Sequence, residues 1–149
     1  MIDIEYIRKL LEKYQLPIKI YSTTDFKKEY LKYYNKLLKD TYGDCNVGLH
    51  FDAILDLSKK LWLKYKSSIN LNDLLIKNSI LVAIHEIGHR KGLMHCNSSL
   101  CFLTFGELAY LKKNQIQFRS SICSAHSKQI EQYLQYKTKI ERVLNEFFK

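Results

Sequence analysis

The run His85-Glu86-Ile87-Gly88-His89-Arg90-Lys91-Gly92-Leu93-Met94-His95 sets three histidines, one glutamate and one glycine at fixed offsets, HExxHxxGxxH. Histidines four residues apart share one face of a helix, so the imidazoles of His85 and His89 reach the same point. Glu86 stands beside them and can face a metal-bound water without ligating the metal. A helix alone cannot bring position 95 round to that point. Gly92 permits the sharp turn, because glycine accepts the left-handed backbone that ends helices, and His95 then returns as the third ligand. Three histidines leave the fourth position of a tetrahedral zinc open to water, which is the catalytic rather than the structural arrangement. Zinc brings the pKa of such a water to about 7, and Glu86 is placed to accept its proton. The chemistry is metal-assisted hydrolysis of an amide bond.

A bare HExxH is a weak signal, and a lone histidine on an apolar helix is ordinarily a packed, hydrogen-bonded side chain. Here three of the five histidines in the chain fall on the required positions. Glu86 also follows the apolar run at 80–84, where an unpaired carboxylate is costly to bury. A metal site accounts for both facts. His50 reads as a strand or surface histidine.

The pattern extends beyond the motif. His95 is succeeded at once by Cys96, and Cys101 completes HC-x4-C. With these residues the chain resembles the archaemetzincin family of zinc metalloproteases, whose members continue HExxHxxGxxH with C-x4-C-x-M and, further on, a CxxC pair. The resemblance is specific over residues 85–101, looser out to 126 and only general before residue 80. It implies a metzincin-type fold, one catalytic zinc held by His85, His89 and His95, Glu86 as general base, and a second zinc on the four cysteines. Two positions depart from the family. Leu103 stands where the methionine of the turn beneath the metal belongs; Met1 and Met94 cannot supply it. Leu103 keeps an apolar floor, so the turn is expected to survive. In place of the CxxC pair stands Cys123-Ser124-Ala125-His126, two residues further along than the family spacing. Thiolate and imidazole are both ordinary zinc ligands, so Cys96, Cys101, Cys123 and His126 form a candidate closed, structural Cys3His site. The plainer alternative is that these cysteines are small buried hydrophobes.

Around the motif, 149 residues with one proline, five glycines and no repeat suit one compact domain. Ile4, Ile7, Leu11 and Tyr14 recur at helical spacing over 2–14. Pro17 precedes a short strand at 18–21. Thr24 or Asp25 caps a helix to about Tyr42, with Phe26, Tyr30, Tyr33, Leu37 and Leu38 inward. Gly43-Asp44 reads as a turn, followed by extended runs at 45–51 and 53–57. Residues 58–66 fit either helix or strand. Asn70 or Asn72 caps the active-site helix, which runs to about Lys91; 104–114 and 126–148 read as helices, the latter with Ile130, Tyr133, Leu134, Ile140, Val143, Leu144 and Phe147 on one side.

The expected fold class is therefore α+β. A small mixed sheet, a backing helix and the active-site helix form an upper half (about 1–91), over a helical lower half (about 92–149) with the cleft between. The resemblance implies that an extended peptide or protein substrate pairs with an edge strand, for which 46–57 is the candidate stretch, with Phe51 in the cleft. Tyr110 is a candidate donor to the tetrahedral intermediate, and Arg90 and Lys91 are rim or helix-end cations.

Twenty-four Lys and Arg against fifteen Asp and Glu give a net charge of +9. Lysines spread along helices ordinarily mark solvated faces, so a nucleic-acid partner is the lesser reading. It belongs with an alternative function, that of the small basic HExxH proteases of the SprT kind, which act on proteins attached to DNA; Gly92 and the immediate C-x4-C argue against it. A non-enzymatic zinc-stabilised binding module is a third reading, opposed by the intact Glu86. No apolar stretch approaches the ~18 residues of a membrane span. With no secretory signal, and with three of the four cysteines in the metal pattern and Cys45 outside it, a cytoplasmic protein is expected. The sequence carries no sign of an oligomeric state.

Overall fold

The computed structural model describes residues 2–38, 41–65 and 69–149. Among these residues, six helices and five strands run in the order α1 (Ile4–Lys13), β1 (Ile20–Tyr21), α2 (Thr23–Tyr34), β2 (Gly43–Asp44), β3 (Gly48–His50), α3 (Phe51–Lys64), α4 (Leu71–Arg90), β4 (Ala109–Lys112), β5 (Gln115–Phe118), α5 (Ser124–Ile130) and α6 (Leu134–Phe148). The class is α+β, as expected. The first sheet is small and mixed, in the order β1-β3-β2, with β1 parallel and β2 antiparallel to β3. Leu49 is the common partner of Ile20 on one side and Gly43 on the other. The second sheet is the hairpin β4-β5.

The centre is α4. Asn70 caps it by accepting from the Asp73 amide at 2.8 Å, so of the two candidate caps Asn70 is the one used. From Asn78 to Gly88 every residue of α4 is buried. A helix buried all round must be covered on every side, and α3, β2, β3, α1 and α6 do so. The main core joins Ile7 and Leu11 of α1, Leu49 of β3 and Ile80–Ile84 of α4 to Phe102, Leu103, Ile140 and Val143.

Several elements differ from the sequence-based expectation, each for a local reason. The helix expected to reach Tyr42 ends at Tyr34, because Asn35 adopts a left-handed φ of 54°, a conformation that asparagine tolerates. Residues 39 and 40 of that expected helix lie outside the described residues. Its N-cap is Ser22, not Thr24 or Asp25, and of its expected inward residues Tyr33 and Leu37 are exposed. Gly43-Asp44 is a strand, and the turn falls at 45–47, where the Asp44 carboxylate accepts from the Asn46 and Val47 amides. The run at 53–57 is not extended but lies inside α3, whose buried Phe51, Ile54, Leu57, Ser58 and Leu61 share one helical face. The ambiguous stretch at 58–66 is helical to Lys64, and residue 66 lies outside the described residues. The expected helix at 104–114 is instead a loop leading into the β4-β5 hairpin, whose Lys113-Asn114 turn has positive φ at both residues, the geometry favoured by two-residue hairpins. The expected final helix is split at residues 131–133 into α5 and α6, and Leu134 is exposed. No helix among the described residues is long and apolar enough to cross a membrane.

Candidate metal centres

His85 and His89 occupy the last turns of α4, and the backbone beyond them is a helix stop built on glycine. Gly92 has φ +85°. Its amide donates to His89 O at 3.0 Å and the Leu93 amide donates to Gly88 O at 3.0 Å. This doubly bonded C-terminal motif satisfies carbonyls that the helix end leaves bare. The buried Leu93 anchors the turn, and two residues later His95 faces its partners. The three Nε2 atoms stand 3.0 Å (His85–His89), 3.0 Å (His89–His95) and 3.3 Å (His85–His95) apart.

The His85–His89 approach is not a hydrogen bond. The Nδ1 of His85 lies 2.7 Å from Phe102 O, and that of His89 lies 2.7 Å from Leu93 O. Each Nδ1 must carry the proton to donate to a carbonyl, which leaves both Nε2 atoms as bare lone pairs facing each other. A cation held between them relieves that repulsion. Ligands on a tetrahedral zinc at the usual Zn–N length are about 3.3 Å apart, so the residues fit the metal in both spacing and tautomer. Burial, with His89 and His95 nearby, pulls the pKa of His85 down to about 4 against the Phe102 carbonyl; burial and His89 lower that of His95. Both rings are kept neutral, the form that binds metal.

Glu86 puts Oε1 3.8 Å from His85 Nε2. Burial first and Asp44 second push its pKa up to about 7, with Arg90 opposing. Strand β2 passes directly over it: a Cβ on Gly43 would sit 3.2 Å from Glu86 Cγ and 3.0 Å from Val82 Cγ1. Below, Leu103 is fully buried, and a Cβ on Gly88 would meet Leu103 Cδ2 at 3.0 Å and Tyr136 Oη at 2.9 Å. Leu103, at the expected methionine position, packs against α4 at Gly88, the residue before His89. The turn closes through Thr104 N donating to Cys101 O at 3.0 Å.

The second cluster is also assembled. Single ligand atoms from Cys96, Cys101, Cys123 and His126 all lie within 4.8 Å of one another. Pairing of residues 100–102 with Ser121 carries Cys101 to the start of α5, where Cys123 is the N-cap and His126 lies three residues on. His126 Nε2 donates to Met94 O at 2.8 Å, so its Nδ1 is the bare nitrogen, 3.1 Å from Cys123 Sγ and 3.5 Å from Cys101 Sγ. Burial pushes the Cys101 thiol up to about 12. Burial acts the same way on Cys96, but the Ser98 backbone, Thr104 and the neighbouring thiols outweigh it and its pKa is lowered. All four cysteines are free thiols. Three sulfurs and one imidazole nitrogen make the donor set of a four-ligand, closed zinc site.

A cleft of about 520 Å³ opens on the three histidines and Glu86; Thr41 to Cys45, Leu57, Asn78, Val82 and Phe105 to Leu108 complete its lining. Most of these residues carry no motif, although Asn78, Val82, Glu86 and His89 are spaced at whole turns along α4 and so share its face. Other expectations fail here. Strand β3 lies between two partners and is no edge; the strand bordering the cleft is β2. Phe51 is packed in the core and not in the cleft. Tyr110 sits on β4 beneath the Arg119 guanidinium, 4.3 Å from its ring centre, away from the cleft. His50 is the buried strand histidine expected, stacked on Phe26 and bonded to Thr23 Oγ1 at 2.8 Å. Arg90 is a tie rather than a free rim cation, donating to Cys45 O and Pro17 O, and Lys91 lies over the Tyr133 ring. A larger cavity, about 880 Å³ between α1, β1 and α2, contains neither cluster.

An α+β chain with a three-histidine cluster beside a buried glutamate, and a Cys3His cluster next to it, has the makings of a zinc protein. Comparison with curated proteins agrees in part: the chain is 33% identical over 66 residues to an archaemetzincin of Saccharolobus solfataricus, a stretch that covers 44% of this chain and 36% of that protein. The chain thus matches little more than a third of the length of that relative. No family model and no solved structure matches.

Proposed function

We propose that this protein is a zinc-dependent metallopeptidase of archaemetzincin type. The observation that carries the reading is the convergence of three Nε2 atoms beside Glu86, two of them bare lone pairs fixed by carbonyl acceptors behind the rings. His85, His89 and His95 would hold the catalytic zinc, and Cys96, Cys101, Cys123 and His126 a structural one. Zinc at the first site supplies an acidified water and a Lewis acid for the scissile carbonyl. Glu86 Oε1 takes the proton of the attacking water and returns it to the leaving amine, a task suited to a carboxyl group tuned towards neutral pH. Gly43, with no side chain, lets the backbone of β2 lie against that carboxyl. The Gly43 carbonyl on β2 accepts from the Thr41 hydroxyl at 2.7 Å, and this strand offers main-chain pairing to an extended peptide. Gly92 and Leu103 set the third ligand and the floor.

The test is metal content followed by cleavage. Protein purified without added metal is expected to hold two zinc ions per chain and to cleave members of a peptide library, and Glu86→Gln is expected to keep both ions and lose cleavage. A chain that takes up no zinc at the three histidines, even when zinc is offered, would sink the reading.

A further inference from the structure

Arg90 is the last residue of α4 and follows the second histidine of the cluster directly. Its side chain is exposed and lies outside the core. Its Nε donates to Cys45 O and one Nη donates to Pro17 O. Cys45 follows β2, and Pro17 opens the segment that leads into β1, so one guanidinium ties down both flanks of the first sheet. The bond to Cys45 has no substitute. Among the described residues it is the one hydrogen bond between residues 43–47 and α4. Apart from it, strand and helix meet by packing, where Gly43 comes close to Val82 and Glu86. Apolar packing is non-directional and lets a strand shift, whereas a hydrogen bond fixes both distance and direction. The strand has little else to steady it, being two residues long and paired with β3 on one side only.

We propose that Arg90 is a positioning residue for substrate: by tying Cys45 to the end of the metal-bearing helix, it holds the free edge of β2 at the distance from the three histidines that a bound peptide needs. The inference rests on the peptidase reading above. Strand β2 borders the cleft and leaves one edge unpaired. An extended peptide added to that edge takes its position from the strand. Misplacing a reacting group by about 1 Å costs on the order of 100-fold in rate, so the bond that sets the strand against the helix also sets the peptide against the metal. Lysine cannot take over this task. Its ammonium is a single point, without the planar fork that lets a guanidinium serve two carbonyls at once. Lysine does keep the positive charge. Burial and Asp44 raise the pKa of Glu86 and Arg90 opposes them, so Arg90→Lys leaves a cation in that place and isolates the geometry.

Two zinc-binding probes separate the strand from the metal without relying on hydrolysis. Acetohydroxamate reaches the zinc alone, whereas N-acetyl-trialanine hydroxamate adds an extended backbone that can pair with β2. Titrated into the zinc-loaded full chain, Arg90→Lys is expected to bind the trialanine probe about tenfold more weakly, and acetohydroxamate and zinc itself within about twofold of the unaltered chain. Amides at 44–47 are expected to exchange about tenfold faster in the variant while those of α4 keep their protection. Should the variant not fold, the unaltered chain still decides: the Arg90 Nε–H, bonded to Cys45 O, is expected to be protected from exchange. Equal weakening of the two probes, weakening of neither, or a freely exchanging Nε–H overturns the proposal. With peptides that the chain cleaves, Arg90→Lys is expected to raise KM by the same factor. If peptides are cleaved and their KM does not change, the assignment of Arg90 falls and the peptidase reading stands. If no peptide is cleaved but the probes separate as expected, the peptidase reading falls and Arg90 stands as the residue that places a bound peptide.

Discussion

Ionising Glu86 puts a negative charge where only 9% of the residue meets water. In the metal-free chain this has a measurable sign. Burial raises its pKa from 4.5 to about 7, so between those values the folded chain keeps a proton that the unfolded chain releases. Stability contributed by the protonated form is complete below pH 4.5 and lost as pH rises to 7, up to about 3 kcal/mol. Glu86→Gln removes the titration and leaves His85 unchanged. Urea melts of the two metal-free proteins are expected to differ by a constant amount below pH 4.5 and to separate by about 3 kcal/mol in favour of the variant above pH 7. Zinc bound at the three histidines is expected to cancel the advantage, because a nearby cation favours the carboxylate. A separation that persists with zinc bound would place the metal elsewhere.

At the scale of elements, the end of α4 decides whether His95 reaches its partners. Gly92 has open space around its Cα, so Gly92→Ala meets no clash and its penalty is backbone strain alone, about 1–2 kcal/mol by thermal melting, with weaker zinc binding. Leu103 tests the floor in two ways. Leu103→Met restores a residue of similar volume and is expected to change stability by less than about 1.5 kcal/mol, whereas Leu103→Ala, at a fully buried site, should lose about 2–5 kcal/mol.

These elements also show what the sequence makes legible. The histidine cluster is readable because spacing on a helix is rigid geometry, and the stop at Gly92 because only glycine makes it easily. The inward face of α1 follows from periodicity, and the cap of α4 is one of the two asparagines that the sequence offers. The strands are another matter. At two or three residues each, β1, β2 and β3 are too short to show alternation, and they exist because neighbours pair with them. The hairpin at 109–118 is hidden for a different reason: its turn holds Lys113 at φ 49°, a conformation that lysine rarely takes and that pairing of the flanking strands imposes. The cleft walls are invisible as such, since Leu57, Asn78 and Phe105 become neighbours of the histidines only through tertiary packing.

For the whole molecule, the Cys3His cluster is a fastener. It joins the loop after His95 to the start of α5, a region with little regular structure between residues 91 and 108. Stripping its metal is expected to raise amide exchange over 93–104 and 120–130 while α1 and the buried stretch of α4 stay protected. Cys123→Ser should reproduce the change without chelator. Uniform loosening, with α4 exchanging as fast as the loop, would show that the cluster supports the entire core.

The hydrogen bond from His126 Nε2 to Met94 O spans the two centres. Its donor belongs to one ligand and its acceptor to the residue before another, while Cys96 follows that second ligand directly in the chain. Filling the sulfur site therefore fixes His95 from both sides before any ion reaches the histidines. Thermodynamic linkage makes the effect mutual: whatever factor the first ion adds to the affinity for the second, the second returns to the first. Loading should proceed in order, thiolates before imidazoles, and a zinc titration should show the histidine site tightening once the sulfur site is full. Chains holding one ion should therefore be scarcer at half-saturation than two independent sites would give.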